Sequence, residues 1–92
     1  MPDDIDPEVV SLLRRMAGER RSVAEMARAI LPGRHPAAVF HHFQAAFGLT
    51  FPEARFLLDW LTGGGSDDEL QDVMEPRIEA HRQSWMPGEG HR

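Results

Sequence analysis

Gly48-Leu49-Thr50-Phe51-Pro52-Glu53-Ala54-Arg55-Phe56-Leu57-Leu58-Asp59-Trp60-Leu61 is the stretch from which the fold of this chain is read. A glycine stops one helix, and a hydroxyl residue three positions ahead of a glutamate starts the next. In that spacing the Thr50 hydroxyl accepts from the Glu53 backbone N–H, and the Glu53 carboxylate accepts from the N–H of Thr50. Leu49 is placed to pack on Ala54 across this box, as a hydrophobic staple. At 100° per residue, Phe51, Ala54, Leu57, Leu58 and Leu61 make one broad apolar face, while Phe56 and Trp60 fall nearly opposite. Two readings stay open. The helix is central and packed between neighbours, or Phe56 and Trp60 stand out as an aromatic anchor for another chain.

The same hydroxyl-to-glutamate spacing recurs at Ser22/Glu25 and Ser66/Glu69, each ahead of an amphipathic run, so three helix starts are fixed. Asp6-Pro7-Glu8 opens an earlier helix, with aspartate as cap, proline where its missing N–H costs nothing, and glutamate favoured by the dipole. Val9, Leu12, Leu13 and Met16 line one side of it, and Gly18 is expected to end it in a left-handed turn. Val23, Met26, Ala27, Ile30 and Leu31 form the inner stripe of the second helix, which Pro32-Gly33 ends. Arg34-His35-Pro36 opens the third, with Val39, Phe40, Phe43, Ala46 and Phe47 inward and Gly48 as its stop. Thr62 to Gly65 reads as a flexible break. Beyond it Leu70, Val73, Met74, Ile78, His81 and Trp85 stay in phase across Pro76, which predicts one last helix bent near that proline.

The pattern therefore predicts an all-α fold: a single domain over 1–92, an irregular bundle of five short helices with the fourth near the centre and the fifth kinked at Pro76. Residues 1–5 are expected to fray and 87–92 to be disordered. At 92 residues such a domain buries only about 60–65% of its unfolded surface, so a partner's contribution matters. No apolar run is long enough to cross a bilayer, and the acidic start lacks the positive segment of a signal peptide. A cytoplasmic location follows as the expectation. Cysteine is absent, which excludes disulfides and thiolate chemistry. Lysine, asparagine and tyrosine are absent too. That pattern fits the codon bias of a GC-rich, bacterial genome, so the arginines are not by themselves a sign of phosphate binding.

The net charge of −5 is unevenly distributed. Up to Gly48 acids and arginines balance; from Leu49 onward nine acids face four arginines. An acidic half repels nucleic acid and membrane surfaces and suits a basic protein partner, or serves as a solubilising face.

No catalytic, cofactor or metal site is expected. Gly63-Gly64-Gly65-Ser66 precedes a helix start as phosphate loops do, yet it lacks the lysine, and Asp67, Asp68 and Glu69 occupy the anion's place. His41 and His42 are adjacent and point about 100° apart, so they do not form a helical metal pair. No serine sits in a Gly-x-Ser-x-Gly elbow, and adjacent acids do not oppose each other across a cleft.

Ser22 to Leu49 resembles the helix-turn-helix of bacterial transcription regulators, with Ala27 as the small residue in its first helix. The resemblance implies a second helix that enters the major groove. Arg34, His41, His42 and Gln44 would then face DNA, with Arg14, Arg15, Arg20 and Arg21 near phosphates. The recognition helix would carry no arginine or lysine of its own, which weakens the phosphate attraction such binding needs. Gly48 to Ala54 also looks like the helix–turn–helix joint in the C-terminal domain of the ribosomal stalk protein, a likeness of local turn physics only. The reading favoured by the residues is a non-enzymatic interaction module of bacterial type: an inhibitor, immunity or antitoxin-like factor, an adaptor or a regulator. Its partner is a basic protein or a second copy of itself, met through Phe56, Trp60 and Trp85 and steered by Asp67, Asp68, Glu69 and Asp72.

Overall fold

The computed structural model describes residues 5–86. Among them are six helices and no strand: α1 Pro7–Gly18, α2 Val23–Ile30, α3 Pro36–Phe47, α4 Phe51–Leu61, α5 Asp67–Ala80 and α6 Arg82–Trp85. The expectations for the extreme ends, residues 1–4 and 87–92, lie outside the described residues.

The starts of α1 to α5 fall where the caps place them. Asp6 accepts from the Glu8 N–H, Ser22 from Glu25, His35 from Ala37, Thr50 from Glu53 and Ser66 from Glu69. The reciprocal box closes at Thr50 and Ser66. At Ser22 only half of it forms, because the Glu25 carboxylate turns instead to Arg21 at 2.9 Å.

Two helix ends differ from expectation. Gly18 remains helical, and the left-handed residue is Arg20, with φ of 66°. The Arg21 N–H reaches the Met16 carbonyl and the Arg20 N–H that of Ala17, both at 3.0 Å, which is the paired closure of a left-handed helix end. The Gly63–Gly65 segment is likewise a built turn. Gly63 and Gly65 take φ of 108° and 79°, and the Gly64 N–H donates to the Asp59 carbonyl at 2.8 Å.

Helices α1, α3, α4, α5 and α2 pack in that order as a closed ring, each on its two neighbours, and α6 covers one end against α3 and α5. The sequence placed α4 at the centre; α3 takes that part. It buries Val39, Phe40, His42, Phe43, Ala46 and Phe47, whereas α4 buries only Ala54 and Leu57. The arc from His42 to Phe40 is wide because His42 is satisfied on both ring nitrogens. Its Nε2 accepts from the Asp6 N–H at 3.0 Å, and Nδ1 donates to the Ala38 carbonyl at 2.7 Å. That pair of bonds fixes the Nδ1–H tautomer.

The final segment is two helices where one was expected. α5 runs on through Pro76, whose ring stands on the exposed side, and breaks at His81. The break turns Trp85 inward. Its ring meets Phe47 edge-on at 5.1 Å between centroids, and its indole N–H donates to the Ile78 carbonyl at 2.9 Å, closing the end of α5. Truncating a fully buried ring such as Phe43 to alanine is worth about 3–5 kcal/mol.

Arg20 gives a direct test of these helix ends. A left-handed L-residue costs roughly 1–2 kcal/mol, and glycine adds about 0.5–1 kcal/mol of unfolded-state entropy. Arg20→Gly is therefore expected to stabilise by roughly 0.5–1 kcal/mol, raising the melting temperature by about 2–8 °C. A lower melting temperature would place the turn elsewhere.

Candidate functional site

On α5 the core residues Leu70, Met74 and Ile78 occupy one side. On the other, Asp68, Asp72, Glu75 and Glu79 follow at separations of four, three and four, within an arc of about 60°. Asp68, Asp72 and Glu75 are exposed and enter no ion pair among the described residues. Glu79 anchors the far end, 3.8 Å from Arg20 and 3.2 Å from Arg82. The four acids named from sequence are thus divided. Asp68 and Asp72 join this ridge, while Glu69 turns back to the Ser66 N–H at 3.0 Å and Asp67 faces α2. Glu75 and Glu79 are not among the acids named from the sequence, although their heptad-like spacing is visible there.

Asp67 is the hub of a cross-helix cluster. Arg28 on α2 grips it with both terminal nitrogens, at 2.9 and 3.0 Å, and the Trp60 indole N–H donates to it at 3.2 Å. The same guanidinium stands over the Trp60 ring, 5.2 Å from its centroid. Trp60 is therefore half-buried under an arginine, with its polar edge already used. Phe56 is also half-buried, its ring against Gly65. Trp85 offers no surface at all, being 3% exposed. Among the described residues the large apolar side chains that stand out are Ile5 and Phe51, the latter 53% exposed and edge-on to Phe40.

The residues of the DNA reading do not gather on one face with free side chains. His42 is 2% exposed and cannot reach a groove. Arg14 donates to the Ala46 carbonyl at 2.8 Å and Arg34 to that of Ile30 at 2.9 Å, so both close helix ends. Arg21 lies between Glu25 and Glu19, which raise its already high proton affinity, and Arg20 holds the left-handed turn beside Glu79. His41 and Gln44 are paired at 3.2 Å, and Arg15 is exposed. Helices α2 and α3 are not one of the packed pairs of the ring.

His81 on the α5 end meets both Glu53 carboxylate oxygens, at 3.2 and 3.3 Å, while Arg77 donates to the Glu53 carbonyl. Among the described residues no three His, Asp or Glu side chains converge as metal ligands, and no helix is long and apolar enough to cross a membrane. Comparison of the chain with known protein families, curated proteins and solved structures finds no match in any of the three.

Among the described residues two carboxyls are perturbed. Asp67 is held below its ordinary 3.8, chiefly by the Arg28 hydrogen bonds, against the opposing effect of burial and with help from the Trp60 N–H. Glu53 lies below its ordinary 4.5, chiefly through the Thr50 backbone N–H and then His81. A carboxyl depressed on folding contributes stability that is complete above its unfolded value and lost as pH falls through the folded one. The gap in melting temperature between wild type and Asp67→Asn is accordingly expected to be open at neutral pH and to close as pH falls beneath 3.8. A gap independent of pH would detach Asp67 from Arg28.

Proposed function

We propose that this chain is a non-enzymatic interaction module whose partner is a basic protein, of the kind that acts in bacteria as an inhibitor, immunity or antitoxin-like factor, adaptor or regulator. The observation that carries the reading is the ridge Asp68–Asp72–Glu75–Glu79 along the outer side of α5. Like charges three or four apart on a helix destabilise it by about 0.2–0.5 kcal/mol per pair. The free protein bears that cost along most of the ridge, and a cationic partner relieves it. A field of one sign also accelerates encounter with an oppositely charged surface.

A second copy fits less well, since a two-fold contact through this face sets ridge against ridge. The helix-turn-helix alternative draws little support from arginines that close helix ends or pair with glutamates.

Affinity capture from the source organism tests the reading, with wild type beside Asp68→Asn/Asp72→Asn/Glu75→Gln. Three exposed ion pairs at roughly 0.5 kcal/mol each amount to about a tenfold loss of affinity. The expected outcome is a basic protein retained at low salt, released by added salt, and held about tenfold more weakly by the neutralised chain. Equal retention by both chains, or salt-sensitive binding of wild type to random duplex DNA, contradicts it.

A further inference from the structure

Helix α4 turns one side away from everything it packs against. Ala54 and Leu57 point into the core, and Trp60 lies under the Arg28 guanidinium. On the remaining side Phe51, Arg55, Asp59 and Thr62 recur at separations of four, four and three, within an arc of about 80°. All four are exposed. The Phe51 ring meets Phe40 edge-on, and more than half of it, 53%, stays open to solvent.

The two charges of this stripe are one turn apart, yet neither side chain enters an ion pair among the described residues. Cation before anion is the weaker order for a pair within one helix. Asp59 also lies in the last turn of α4, where the helix dipole disfavours an anion. An antiparallel neighbour reverses both conditions. A two-fold axis crossing α4 at the level of Leu57, midway between the charges, sets each Arg55 against Asp59 of the other copy. The same axis equates the positions six residues to either side, Phe51 and Gly63. The ring then falls on the glycine turn, where a Cβ at Gly63 would meet nothing within 4 Å.

Charge and shape on this face thus complement themselves. One cation and one anion offer no net sign to a strongly charged partner, but they match their own image across a two-fold axis.

We propose that this face of α4 binds a second copy of the chain as an antiparallel dimer, held by reciprocal Arg55–Asp59 pairs and by Phe51 seated on the glycine turn. The contact is separate from the acidic ridge of α5 and does not rest on the basic-partner reading. A helix of 11 residues is about 16 Å long, so one face of it falls short of the roughly 800 Å² per partner of a stable interface. The net charge of −5 on each protomer opposes association as well. The dimer is therefore weak and reversible, with a Kd on the order of 100 µM.

Sedimentation equilibrium of the full chain, from about 10 µM to about 1 mM, is the test. Wild type is expected to pass from monomer toward dimer across that range. Arg55→Asp makes the face wholly acidic and Asp59→Arg makes it wholly basic; each alone is expected to weaken self-association at least about tenfold. Mixing the two variants is expected to restore it as a heterodimer, because an acidic face then meets a basic one. Phe51→Ala should weaken the wild-type dimer too, with thermal melts by circular dichroism showing that each variant is folded. A strict monomer throughout, association untouched by either charge reversal, or a mixture no tighter than its components overturns the proposal. The ridge is tested by capture of a basic protein, so failure of one reading is distinguishable from failure of the other.

Discussion

Phe40, Phe43 and Phe47 leave helix α3 toward one interior, and the remaining helices close around that column. Phe43 and Phe47 lie tilted against each other at 5.7 Å, Phe40 meets Phe51 of α4 at 5.3 Å, and Phe47 meets Trp85 of α6 edge-on. The last two contacts join α3 to α4 and to α6. A ring of five short helices holds little cohesion of its own, because helices of 8 to 14 residues are marginal without tertiary packing. The aromatic column supplies that packing. His42 extends the same buried face by giving up both ring nitrogens to backbone groups, one of them the amide that anchors the start of α1.

Much of this was legible in the sequence, and the pattern of success has a physical cause. Caps act over three or four residues, so Asp6, Ser22, His35, Thr50 and Ser66 announce their helices locally. What escaped depends on contacts between distant residues. Gly18 is the expected stop by chemistry, yet the closure at Met16 and Ala17 puts the left-handed residue at Arg20. His42 reads as an outward residue of α3, and although its Nδ1 meets the Ala38 carbonyl one turn back, nothing local shows that its Nε2 will be satisfied from 36 residues away. In the sequence α4 reads as central because it is apolar on two sides. The second side is in fact covered by a guanidinium from α2 and by the glycine turn. Trp85 kept helical phase with Ile78, but a break at His81 brings it into the core.

The candidate site was visible in outline: an acidic C-terminal half, with aromatics at Phe56 and Trp60. The division of labour within it was not. Asp67, Glu69 and Trp60 serve the fold, holding α5 against α2 and starting its first turn, whereas Asp68, Asp72 and Glu75 point to solvent. Composition counts these acids alike; only the cross-chain partners separate them. The outcome is a helix pinned at its first residue by Arg28 and at its far end by Trp85, with its charged side turned outward. Such pinning presents the ridge as a rigid surface, which limits the ordering cost of binding.

The most direct measurement is the emission of Trp85 alone, in the Trp60→Phe chain, with acrylamide as quencher. Closure of the helical ring around the α3 aromatics predicts blue-shifted emission that acrylamide barely reaches. Red-shifted emission, quenched as freely as in the unfolded chain, would mean that Trp85 is not seated on Phe47 and that the column does not organise the fold.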